Sequence, residues 1–419
     1  MKKIVKLSLA VAMMSGLGAV SAQADGDILS DVKVKGQIRP RLETVDDSVN
    51  KSATAFTART KLTINANLFG VEGLTSSIGM ISVNNFGMTD HNSGANGHSD
   101  AAGNTAYAKI IDPQDAMLSE ATIDYAVGKT ALHLGRSNIN LDNQRFIGTV
   151  GWRQLERSYD TVYAANSSVE NLSVLAAYVY GFAGVTGVTT TDTNSAILHV
   201  GYKAMPALNV TGYAYLLGSI SDTYGLALTG KIDAGAKLTY RAEYAMQSDA
   251  TLETYNAASG AVDASYFNVD FGANISGVLL GVNYEMLSGS TGSDGKTNFQ
   301  PTLGTNHKFN GWADKFFVGN TGPLGGLNDM NVRAGYKAKG FGKLLAVYHV
   351  FSASENMATA TATDTDLGSE IDVVYANTIP GAKGLKGLIK YAGYTGGTVT
   401  GYTANVSKVW LGLDYKFSN

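Results

Sequence analysis

The chain has 419 residues, no cysteine and a formal net charge of −3. The missing cysteines exclude a disulfide framework, and the mildly acidic balance excludes the clustered basic excess of a nucleic-acid binder. With 49 glycines and 22 tyrosines but six prolines, set in short alternating runs with almost no helical period, the composition is all-β.

Residues 1–24 have a basic start (Lys2, Lys3, Lys6), an apolar middle and the small-residue site Ala22-Gln23-Ala24. This pattern predicts a cleaved secretory signal peptide. Its removal takes three lysines and no acid, so the formal charge moves from −3 to −6. Residues 25–419 show no linker or shift of composition and read as a single domain. Beyond the signal no apolar run reaches the roughly 18 residues of a spanning helix.

The first predicted strand, VKVKGQIRPRLE over 32–43, sets Lys33, Lys35, Arg39 and Arg41 against an apolar alternate face. Facing lipid, each base would cost about 2–4 kcal/mol at mid-bilayer. Four together would rival the stability of a whole domain, so they are expected to face a lumen. The second strand divides likewise, with Arg59 and Lys61 inward and Leu62 and Ile64 outward. Alternating segments follow, eighteen in all, centred near residues 38, 62, 80, 122, 133, 162, 176, 199, 212, 227, 242, 269, 282, 333, 347, 372, 389 and 411. In the eleventh, Arg241 and Glu243 oppose Tyr240, Ala242 and Tyr244; in the last, Lys408, Asp414 and Lys416 oppose Val409, Leu411 and Leu413.

Links after even-numbered segments are tight, such as Gly70-Val71-Glu72-Gly73 and Val127-Gly128-Lys129. Links after odd-numbered segments are often long and polar: 87–115, 137–156, 183–194, 248–263, 288–326 and 354–365. That asymmetry predicts a transmembrane antiparallel β-barrel of about eighteen strands, sixteen being the alternative, with short periplasmic turns and long extracellular loops. Closure would place Lys408 and Lys416 beside the bases of the first two strands as one basic wall, with Glu120, Asp124, Glu370 and Asp372 supplying negative charge from other strands across the lumen. Such a wall favours anionic solutes by focusing the field; the alternative is that these charges pair with one another or are simply solvated.

Two loops concentrate charge with aromatic rings. Gly135–Gln154 carries Arg136, Arg145, Trp152 and Arg153, and Phe299–Phe317 carries His307, Lys308, Trp312 and Asp314. Apolar area of this size favours burial, so both loops are expected to fold into the barrel mouth and to constrict or plug it.

The stretches LDNQRFIGTVGWRQ (141–154) and HKFNGWADKF (307–316), with RPRLE in the first strand and the final strand, resemble the alginate-export-type outer-membrane proteins and related proteobacterial porins. The resemblance implies an eighteen-stranded barrel with a charged lumen; the best-known members export an anionic polysaccharide. One departure is that Ser418 and Asn419 follow the terminal aromatic Phe417.

Catalysis is not expected. His91, His98, His133, His199, His307 and His349 make no metal-ligand spacing, and no G-x-S-x-G is present. The loop around His91 and His98 reads as solvated in preference to a cation site. The expectation is therefore a Gram-negative outer-membrane porin passing small hydrophilic solutes, with anion preference left open, and with no cofactor and no metal. The alternatives are dedicated transport of an anionic polysaccharide and a plugged structural or adhesive barrel. Contact with outer-membrane lipids and lipopolysaccharide, and assembly through periplasmic chaperones and the insertion machinery, are implied; a homo-oligomer is admitted but not required.

Overall fold

A computed structural model describes residues 28–94, 104–187, 190–252, 260–291, 293–316 and 322–419. The predicted signal peptide and His98 lie outside the described residues. The strands are β1 (Leu29–Asp46), β2 (Ala53–Leu68), β3 (Leu74–Asn84), β4 (Ala116–Val127), β5 (Thr130–Ser137), β6 (Ser158–Asn166), β7 (Leu172–Ala183), β8 (Thr190–Met205), β9 (Leu208–Leu217) and β10 (Ser221–Asp233). They continue as β11 (Lys237–Ser248), β12 (Ala261–Ile275), β13 (Val278–Leu287), β14 (Lys296–Thr297), β15 (Leu327–Ala338), β16 (Gly342–Ala358), β17 (Thr363–Thr378), β18 (Leu385–Thr395) and β19 (Val406–Ser418).

Eighteen of these form the wall of a closed antiparallel barrel, each paired with its sequence neighbours and β19 with β1. The two-residue β14 stands outside the wall, parallel to Ala261 and Val262 of β12, and β13 pairs directly with β15. Every predicted segment centre falls in its own wall strand. Closure leaves no unpaired sheet edge, as a lipid surrounding requires of a sheet.

The alternation sorts the faces as lipid and lumen demand. Leu134, Leu226, Val332 and Leu411 are exposed on the outside, while Arg41, Arg59, Glu243 and Lys408 are buried within. Exposed apolar residues in such numbers would be a liability in water and are the natural surface of a barrel in lipid.

At the closing seam Ser418 pairs with Lys35 and Phe417 with Gly36. Asn419 prolongs the seam, its N–H donating to the Val34 carbonyl and its Oδ1 accepting from the Val34 N–H. The two residues after the terminal aromatic thus belong to the wall. Pairing with β19 lapses at Arg39 and Pro40, where proline has no N–H to donate.

Two predicted loops are corrected. Residues 354–365 lie mostly within β16 and β17, joined by a turn at 359–362 in which the Thr359 N–H donates to the Ala362 carbonyl. In 183–194, β8 already begins at Thr190. In both places a polar hairpin continues beyond the apolar band, and Ala/Thr-rich sequence pairs there without the apolar face that announces a strand.

Candidate functional site

Residues 138–157 and the segment 298–316 turn into the barrel and bind each other. Gly148 N–H donates to the Leu303 carbonyl (2.9 Å), Thr305 N–H to the Gln144 carbonyl (2.9 Å), and Val150 N–H to Thr305 Oγ1 (3.1 Å). A Cβ on Gly148 would lie 2.3 Å from Thr305 Oγ1, so this crossing requires glycine. Phe146 packs against Tyr213, Tyr266 and Phe299 with centroids 5.0–5.7 Å apart. Phe316 packs against Phe351, Tyr394 and Tyr402. Phe146, Phe299 and Phe316 are thereby buried against inward rings of the wall, as the composition predicts, while Trp152, Phe309 and Trp312 are half-buried.

Charge pairing fixes the loops further. Arg39 donates to the Gly151 carbonyl (2.8 Å) and to that of Arg153, and Arg41 donates to the Trp152 carbonyl (2.6 Å) and pairs with Asp112. Arg153 reaches back to Glu43 (3.2 Å) and to Asp314 (2.8 Å), which also receives Lys408 (2.9 Å) and His307 (2.6 Å). Burial opposes the charge on Asp314, but His307, Lys408 and Arg153 outweigh it and hold the carboxyl well below its ordinary value. Burial pushes the His307 imidazole down to about 3 against the pull of Asp314, with Lys390 adding to the fall. Neutral His307 therefore carries its proton on Nδ1, facing Asp314.

Most of the remaining predicted residues have local partners. Lys61 joins Glu120 (2.9 Å) and Glu156 (2.5 Å), and Arg59 joins Glu156 (3.0 Å). Burial raises the Glu156 carboxyl, but the two bases hold it below its usual value. Arg145 pairs with Glu285 (2.8 Å), Arg241 with Glu243 (2.8 Å), and Asp124 with His133 (2.6 Å). Glu370 and Asp372 accept the backbone N–H groups of Ala313 (2.7 Å) and Trp312 (3.1 Å), so the second loop seats on them. Lys308 donates to the Asn143 carbonyl at 2.9 Å.

This corrects the expected field: Glu120 and Glu156 contact the bases of β2 directly, and Glu370 and Asp372 lie on β17, two strands from β19. Base and acid are neighbours here, not opposite walls. Lys33, Lys35 and Lys416 lie toward the short-turn end; Lys33, Lys35 and Lys416 are exposed and make no ion pair among the described residues.

Arg136 is also corrected. It belongs to β5, shares the outward alternation of Leu132 and Leu134, and forms a two-point pair with Asp160 (2.7 Å to each oxygen) while donating to Thr190 Oγ1. Arg136 lies one residue from the strand end, at the rim, where an outward arginine costs little. It is not part of the constriction.

Alternation could have located Glu43, Glu285, Lys390 and Trp410, because all four occupy inward positions of their strands. Asp112 and Glu156 sit in loops and carry no such signal.

Two polar cavities flank the loop layer. One of about 370 Å³, toward the long-loop end, is lined by Asp47, Tyr107, Lys109, Arg153, Lys315 and Lys408 among others. One of about 380 Å³, toward the short-turn end, is lined by Arg241, Asp270, Lys308, Trp312, Arg333 and His349 among others. Residues 309–315 run between them.

No protein-family model matches the chain, and neither does any curated protein. Solved structures do. Pseudomonas aeruginosa OpdK with vanillate superposes with a TM-score of 0.72 at 13% identity, covering 94% of this chain and 100% of that one. Pseudomonas aeruginosa OccK3 (OpdO) gives 0.70 at 13%, covering 94% and 97%. Acinetobacter baumannii OccAB4 gives 0.71 at 14%, covering 93% and 99%. At such identities the likeness is one of fold, and the fold is that of a Gram-negative outer-membrane protein.

Proposed function

We propose that the chain is an outer-membrane channel through which small hydrophilic solutes diffuse passively, narrowed by residues 138–157 and 298–316. The observation that carries this reading is the pair of cavities, lined mainly by polar side chains, that residues 309–315 separate inside a closed barrel. One of the similar folds, OpdK, is recorded as an outer-membrane protein and with vanillate; this supports a solute of modest size. Passage needs no catalytic group.

In this reading residues 1–24 are removed on export, and residues 25–419 are one domain carried by periplasmic chaperones to the insertion machinery. The long loops face outward, among lipopolysaccharide. Anion preference arises at the short-turn mouth, from Lys33, Lys35 and Lys416. Bases at the loop level, such as Arg41, Arg59 and Arg153, are neutralised by nearby acids and set shape in place of charge.

Two inward loops held by buried pairs disfavour a bulky polymer such as an anionic polysaccharide. Swelling of liposomes carrying the refolded protein tests the proposal. Neutral sugars and sugar acids of similar size should enter, the acids faster, with short oligosaccharides of either charge excluded. Entry of long anionic oligosaccharides would favour dedicated polysaccharide transport, and no swelling with a folded barrel would favour a plugged surface protein.

A further inference from the structure

Lys390 is buried (6% exposed) on the inward face of β18, and its ammonium is not bonded to a carboxylate among the contacts described. Its Nζ lies 2.7 Å from His307 Nε2. It also lies 4.2 Å from the ring centroid of Trp152, 3.9 Å from that of Trp312 and 5.0 Å from that of Trp410. These are the chain's three tryptophans. Indole faces attract a cation, most strongly where water is excluded.

The cage gathers four segments onto one ammonium. Lys390 and Trp410 are register partners on adjacent wall strands; Trp152 comes from the first inward loop, and His307 and Trp312 from the second. Trp152 stacks on His307 at 4.8 Å with planes 8° apart and meets Trp410 edge-on at 5.7 Å. The other charges near the cage have partners of their own. Asp314 is held by Arg153, Lys408 and His307, Arg41 by Asp112, and Asp372 by the Trp312 backbone.

With its proton on Nδ1, His307 offers Nε2 as an acceptor, and Lys390 donates to it. The other ammonium protons face indole. We propose that the three tryptophans form a cation site which the chain fills with its own Lys390, and that this tethered cation latches both inward loops to the wall.

The test uses the full refolded chain, with heat-modifiable migration as the check on folding. Because every tryptophan lies in the cage, intrinsic emission reports the latch even in a barrel that passes no current; the electrical readout alone rests on the channel reading. Lys390→Ala is expected to shift the emission maximum to longer wavelength and to raise open-level current noise severalfold. Lys390→Arg, which keeps a cation, is expected to stay close to wild type. Methylammonium chloride should restore Lys390→Ala emission toward wild type where equimolar sodium chloride does not. A folded Lys390→Ala barrel with wild-type emission would overturn the proposal. So would a shift that methylammonium leaves unmoved, together with equal disruption in Lys390→Arg, since the lysine would then be acting as packing and not as a cation.

Discussion

Arg153 and Asp314 hold the two loops to each other and to the wall through charge pairs that are largely withdrawn from water. Arg153 is buried and Asp314 half-buried, and each binds partners on the wall as well as the other loop. Removing one member of a buried pair strands the others. Arg153→Gln should therefore destabilise the folded barrel by about 3–5 kcal/mol in urea titrations in detergent micelles; a change near zero would mean the pairing is solvated. The same cluster sets an acid response. His307 is neutral when folded and titrates near its ordinary value when unfolded, so the unfolded state binds the extra proton as pH falls from about 6.5 to about 3, and the loop-in state loses stability across that window. Asp314, held well below its ordinary value, adds a loss of the same sign as pH falls below the usual carboxylate range. Neutral to mildly alkaline pH should leave the loops in place, and acid should loosen them. Tryptophan emission recorded against pH checks this, and a flat profile down to pH 3 would contradict it.

At the scale of elements, the two inward loops do different work from the strands that bear them. Excising residues 140–150 removes the crossing at Gly148 and the Phe146 anchor while leaving β5 and β6 intact, so single-channel conductance should rise with the barrel still folded. Unchanged conductance would place the narrowest point elsewhere. The strands were legible in sequence because lipid and lumen impose a period of two, and the bases of β1 could not face lipid. The loops were legible only by composition: Phe146, Trp152 and Trp312 announced burial, but which acids would meet Arg153 depends on how the two loops cross. Asp112 and Glu156 illustrate this, since nothing in their local sequence marks them as partners of Arg41 and Arg59. Arg136 misled because its strand ends one residue later, turning an expected loop base into an outward rim pair. The hairpin at 354–365 was missed because strands that continue past the bilayer lose their apolar face.

On the scale of the whole molecule, closure is the event that makes the barrel. Phe417 lies over Gly36 across the seam, where a Cβ would sit 2.1 Å from the ring. Gly36→Leu displaces that ring, and cross-strand contacts of this kind contribute up to about 1 kcal/mol. A lower folded fraction on heat-modifiable migration is expected, with the remaining folded barrels conducting normally.

A barrel so constricted is expected to conduct, with its selectivity set at the short-turn mouth. The most direct test is single-channel current of the refolded protein in planar bilayers, with the reversal potential taken in a salt gradient, for wild type and for Lys33→Gln/Lys35→Gln. Stable openings whose anion preference falls in the double variant are the predicted result. A correctly folded barrel that never opens, or a reversal potential that the double variant leaves unchanged, would contradict the account.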